Sequence, residues 1–203
     1  MHSLIVIAHP EPSSHTHAVA AQVVAGLTAH DAGHTFDVAD LAQEGFDPRF
    51  TLGDVALFQQ RAPAPADVAA EHARLERADA LVLVYPVYWW GFPALLKGWI
   101  DRVFTLGWAF DEAPDGRIVK RLGQLDVHLL AIGGADERTY ARHGYFGAMK
   151  SQIDHGIFDF CGAPVRTSEL LTVPDPAFPE SHFETARTVG GRLFAGKAGA
   201  AAG

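Results

Sequence analysis

The stretches Ser3–Ala8 (SLIVIA), Ala80–Tyr85 (ALVLVY) and Val127–Ile132 (VHLLAI) constrain this chain most, because each is a short, nearly unbroken apolar run rich in branched side chains. A strand with one wet face alternates apolar and polar residues, whereas a strand covered on both faces does not. These runs therefore predict strands buried on both sides. Thr35–Val38 and Val165–Leu171 (VRTSELL) are more polar and read as outer strands. Helical patterns separate and follow the five strands, over Thr16–His30, Ala66–Arg77, Ala94–Phe104, Phe146–Phe160 and Ser181–Ala195. Strand then helix, repeated along the chain, predicts an α/β fold: a doubly wound five-stranded parallel sheet with helices on both faces.

At 203 residues the chain suits one core. A single domain is expected over 1–196, with 197–203, inside the run AGKAGAAAG, as a frayed tail. Two irregular stretches interrupt the pattern: a long excursion at Gly45–Pro65 and a flap at Ala109–Gln124. A net charge of -8 without a basic block argues against nucleic acid and anionic membrane surfaces as partners. The lone Cys161 rules out an internal disulfide framework. No signal-type segment or run of about 18 apolar residues is present, and the default expectation is a cytoplasmic protein.

In such a sheet, ligands bind beyond the carboxyl ends of the strands, where the winding reverses. Three unusual motifs fall at those ends. After the first strand comes HPEPSSHTH, His9–His17. Its prolines force a turn, and Ser13 or Ser14 then caps a helix whose first amides lack partners. With the hydroxyls of Ser13, Ser14 and Thr16 and the imidazole of His9, this makes either a phosphate cradle or simply a capped helix. A metal site is disfavoured: His15 and His17 diverge on a helix, and no second ligand set accompanies them. After the third strand comes PVYWWGFP, Pro86–Pro93, an aromatic wall of Tyr88, Trp89, Trp90 and Phe92 that suits a flat ring or packs beneath the next helix. After the fourth strand, Gly133 and Gly134 permit close backbone approach, and Tyr140 and His143 follow as hydrogen-bond or proton donors.

With these residues in view, the chain resembles the flavodoxin-like NAD(P)H:quinone oxidoreductase family, which includes DT-diaphorase and the ancillary oxidoreductases of bacterial potassium-efflux systems. The resemblance rests on AHPEPSSHTH, on ERADALVLVYPVYWWGFPALLKGWIDRVF from Glu76 to Phe104, on the paired glycines and on Phe160–Gly162. It implies a flavodoxin-like sheet and a bound flavin, with NAD(P)H as co-substrate and a quinone-like acceptor reduced by ping-pong hydride transfer; the Gly45–Pro65 excursion and Arg187, as contacts for an adenine, favour FAD over FMN. It further implies that His9, Ser14, His15 and Thr16 surround the flavin phosphate or pyrophosphate. Pro86, Val87, Tyr88 and Trp89 hold the isoalloxazine on one side and Gly133 and Gly134 on the other. Trp89, Trp90 and Phe160 line the substrate pocket, and His143, with Tyr140, stabilises charge on the reduced ring. The resemblance favours a homodimer and admits a membrane-transporter partner or a role as an electron carrier. Ala131 and Ile132 depart from the family, which often has two threonines there, and the flap lacks tyrosines found in mammalian members.

Overall fold

The computed structural model describes residues 1–195 and 197. The five expected strands are present as β1 (His2–Ile7), β2 (Thr35–Asp40), β3 (Ala80–Pro86), β6 (Asp126–Gly133) and β7 (Val165–Thr172). They form one sheet in the order β2-β1-β3-β6-β7, every pair parallel. The apolar runs occupy the centre, as burial on both faces requires: β3 is buried from Ala80 to Tyr85, and β6 throughout. The winding reverses between β1 and β3.

Helices α1 (His15–His30) and α7 (Glu180–Arg192) cover the face formed by Ile5, Ile7, Val82, Val84 and Leu130. They cross closely. A Cβ built at Gly26 or Gly190 would lie 2.1 Å from a carbonyl oxygen of the facing helix, so neither position accepts a side chain. On the other face, α3 (Ala66–Glu76), α4 (Ala94–Val103) and the segment before β7 pack over Leu4, Val6, Leu81, Leu83 and Leu129.

Three local expectations change. The Gly45–Pro65 excursion contains a short helix, α2 (Leu52–Phe58), started by a reciprocal cap between Thr51 and Asp54 and tied to α4 by Arg102. The flap is an antiparallel hairpin of β4 (Phe110–Glu112) and β5 (Ile118–Lys120). In place of one helix over Phe146–Phe160, the chain forms α5 (Glu137–His143), turns at the left-handed Gly144 (φ 72°), and continues through α6 (Tyr145–Met149) into a π-helical stretch, Lys150–Asp159. Elements of five to seven residues carry too few turns to show a periodicity in sequence. Of the expected tail, Lys197 is anchored, its ammonium bonded to the carbonyls of Asp79 and Gln124. The rest of it, with Gly196, lies outside the described residues.

Candidate active site at the sheet reversal

The three motifs leave neighbouring parallel strands at the same end: Ile7 pairs with Val84, and Pro86 pairs with Ile132. Their loops must therefore share one crevice. The Val87 amide donates to the Ile132 carbonyl at 2.8 Å and the Ala8 amide to the Val84 carbonyl at 3.2 Å, which ties each loop's base to the next.

In the first loop Ser14 is the N-cap of α1, its hydroxyl oxygen accepting from the His17 amide at 3.4 Å. Among the described residues the amides of His15 and Thr16 have no partner, which leaves an anion-binding helix start. Thr16 is buried beside them. The three histidines diverge. His9 Nδ1 accepts from the Glu11 amide at 3.1 Å, so the neutral ring carries its proton on Nε2 and presents a donor. His15 Nε2 lies 2.9 Å from Nδ1 of the buried His182, whose Nε2 donates to the Thr172 carbonyl at 3.0 Å. That ring, packed against Phe178 and Phe183, pins α1 to α7. Burial, followed by the charge on His182, lowers the His15 pKa. Expected at the phosphate, His15 can bring only its backbone there. His17 Nδ1 lies 2.8 Å from Ser14 Oγ and its Nε2 2.7 Å from the Asp40 carboxylate. Burial works to raise the Asp40 carboxyl, but hydrogen bonds from His17 and Gln43 outweigh it and hold it below the ordinary aspartate range. Neither His17 nor Asp40 stood out in the sequence as a pair; only the extension of β2 to Asp40 brings them together.

In the second loop Tyr88 and Gly91 exchange backbone hydrogen bonds at 3.2 and 3.1 Å, closing a tight turn with Trp89 and Trp90 at its tip. Both tryptophans have positive φ, 49° and 60°, a conformation that turn tips normally give to glycine or asparagine. Such strain persists only where the surroundings impose it, and it clusters at functional sites. Trp89 is 94% exposed. Trp90 stacks on Tyr145, with centroids 3.6 Å apart and planes at 12°, and Tyr145 in turn stacks on His143 at 5.3 Å. The sequence signal for Tyr145 was only its place next to His143–Gly144.

In the third loop the paired glycines differ. Gly134 opens to free space, whereas a Cβ at Gly133 would meet the Tyr140 hydroxyl at 2.6 Å. Tyr140 is 1% exposed, and burial raises its pKa. Its expected part as an open proton donor beside His143 therefore becomes a packing one, with the hydroxyl behind Gly133 and the ring edge-on to Trp90. His143 itself is exposed. Phe160, expected over the same pocket, stands beside Phe110 in a separate apolar cleft with Phe50, Phe58 and Phe104. Among the described residues it makes no aromatic contact with Trp89 or Trp90.

A family model described as a flavodoxin-like fold matches residues 1–188. Ribosyldihydronicotinamide dehydrogenase [quinone] of Pongo abelii is 31% identical over 199 residues, covering 87% of this chain and 84% of that protein. The chain belongs to the flavodoxin-like NAD(P)H:quinone oxidoreductase family. Among solved structures of the same kind, an NAD(P)H:quinone oxidoreductase from Methanothermobacter marburgensis is 30% identical and superposes with a TM-score of 0.85 over 95% of this chain and 98% of that one. General stress protein 14 of Treponema denticola, solved in complex with FMN, is 25% identical with a TM-score of 0.65, over 96% of this chain and 99% of that one. At the site this chain combines the left-handed Trp89–Trp90 pair, the Trp90–Tyr145–His143 stack and the Ser14–His17–Asp40 array.

Proposed function

We propose that the chain is a flavin-dependent NAD(P)H:quinone oxidoreductase in which nicotinamide and acceptor use one pocket in turn. The observation that carries this is the convergence, at the point where the sheet reverses, of an anion-binding helix start, an aromatic turn and the open Gly134 in a chain of this family. The donor set fits a flavin. The amides of His15 and Thr16, the Ser14 and Thr16 hydroxyls and His9 Nε2 would hold the phosphate, the Pro86–Trp89 backbone and Gly134 would flank the ring, and Gly133 would keep Tyr140 behind it.

When bound, the flavin supplies the two-electron chemistry. The protein's share is orientation and charge. Trp89 and Trp90 would exclude water from the ring face and give the acceptor an apolar surface. His143, steadied by Tyr145, would donate a hydrogen bond to negative charge on the bound ring, the preorganised electrostatic assistance that lowers such barriers. FAD rather than FMN is supported by a polar cleft of about 560 Å³ beside the His15–His182 contact, lined by Asp136, Thr172, Asp175, Ser181 and Thr185, which offers room for a second nucleotide half. Arg187, expected to help hold an adenine together with the Gly45–Pro65 excursion, is bonded to Gln22 and Glu180 on the α1 and α7 face, while the excursion packs on the opposite face against α4. The two cannot grip one ligand within one chain. The cleft of Phe50, Phe58 and Phe160, together with the 88% exposure of Leu52 on α2, supports a homodimer.

The test is to purify the protein, identify any released yellow cofactor by mass, and mix the holoprotein with NADPH or NADH without oxygen. Bleaching of the flavin, followed by its return on adding a quinone, is expected. A protein that takes up no flavin, or whose flavin neither nucleotide reduces, would overturn the reading.

A further inference from the structure

The hydroxyl that caps α1 is not free to face a ligand on its own terms. Ser14 Oγ is 2.8 Å from His17 Nδ1, and the other nitrogen of that ring is 2.7 Å from Asp40 Oδ2. Gln43 holds Asp40 from behind, its side-chain amide donating to the same oxygen at 2.8 Å and its backbone amide to Oδ1 at 3.2 Å. An ionised carboxylate only accepts, so Nε2 of His17 carries a proton in either charge state.

What varies is Nδ1. In the neutral ring it accepts, the Ser14 hydroxyl donates to it, and Ser14 turns only lone pairs toward the crevice. In the imidazolium it donates, Ser14 Oγ accepts, and the serine proton is released toward the unpartnered amides of His15 and Thr16. The second state adds a donor and a positive charge where an anion would sit, and Asp40 stabilises that charge.

We propose that His17 is a positioning residue for the flavin phosphate: through Ser14 and Asp40 it couples phosphate binding to uptake of one solvent proton on Nδ1, and so sets the preference for a phosphorylated flavin over riboflavin. This rests on the flavin reading above. The charged and titratable groups facing His17 are Asp40 at the end of β2 and, from the loop after β1, His9, whose ring is edge-on at 6.4 Å. Glu11 in that loop is occupied by Ser13. His9 is a second imidazole at the same helix start, so the variant must remove His17 alone.

The discriminating variant is His17→Gln, whose amide can donate to Asp40 and accept from Ser14 and so imitates the neutral ring. Binding of FAD and of riboflavin to the apoprotein is followed by quenching of flavin fluorescence between about pH 5 and 8, the range in which histidine ordinarily changes charge. The FAD pyrophosphate keeps its charge throughout. Wild-type protein is expected to bind FAD about tenfold more tightly at the acid end, with riboflavin affinity flat. His17→Gln is expected to hold the alkaline wild-type FAD affinity at every pH and leave riboflavin unchanged. Asp40→Asn is expected to move the wild-type transition to lower pH. A pH dependence that survives in His17→Gln, or an equal loss of FAD and riboflavin, would overturn the assignment while leaving the flavin reading intact. Wild-type protein that binds neither compound would sink both.

Discussion

Arg102 on α4 meets Asp54 on α2 with its Nε 3.1 Å from the carboxylate, both side chains buried at 3% and 1% exposed. Its Nη1 also reaches Asp67 at 2.6 Å and the Asp47 carbonyl at 2.8 Å, so one guanidinium fastens the Gly45–Pro65 excursion to two helices. Removing one partner of such a pair strands a buried charge. Arg102→Ala is expected to cost about 3–5 kcal/mol in urea unfolding. Burial raises the Asp54 carboxyl, but bonds from Thr51 and Arg102 overcome it and leave the pKa lowered. Its contribution is present above the ordinary aspartate value and lost as pH falls through the folded one, so Asp54→Asn should flatten the acid limb of the stability profile.

His128 gives a second, separate pH window. It is 3% exposed, its Nδ1 lies 3.0 Å from Thr167 Oγ1, and among the described residues its Nε2 makes no well-formed hydrogen bond. Burial lowers its pKa from 6.5 to about 4. The unfolded chain therefore takes up this proton first on acidification, and stability on the order of 3 kcal/mol is present above pH 6.5 and lost as pH falls toward 4. Urea midpoints measured across that window should fall steadily in wild-type protein and lose most of the slope in His128→Leu. An unchanged slope would assign the effect elsewhere.

The Trp89–Trp90 turn trades backbone comfort for an aromatic surface. Trp89→Gly relieves the positive φ while removing a side chain that is almost wholly exposed. The variant is expected to be more stable by about 1 kcal/mol and poorer in kcat/KM for quinone. A variant less stable than wild type would show that the tip is not strained.

For His143, substitution by Gln should slow reduction of bound flavin by NAD(P)H by about a hundredfold without releasing the flavin. Single-turnover stopped-flow measurement on the holoprotein separates this from binding. An unchanged rate would remove His143 from the chemistry.

Much of the fold was legible before any coordinates. The five strands, the parallel sheet and the convergence of three loops follow from unbroken apolar runs alternating with helical patterns, and HPEPSSHTH was already readable as a capped helix start. Less of the site was. Tyr140 and His143 looked like a donor pair at three residues' spacing, yet helix α5 buries one and exposes the other. Phe160, placed at the Trp89 pocket by resemblance, stands within one chain beside Phe110.

The division has a physical reason. Burial on both faces, proline turns and helix caps are properties of contiguous residues, so residue order determines them directly. The pairing of His17 with Asp40 spans 23 residues and that of His15 with His182 spans 167. Such contacts depend on strand register and on the rotation of each helix about its axis, which only packing settles. HPEPSSHTH alone thus announces a capped helix start with three histidines, while the tertiary structure decides that His9 is tied to the Glu11 amide, His15 braces the last helix through His182 and His17 bridges Ser14 and Asp40.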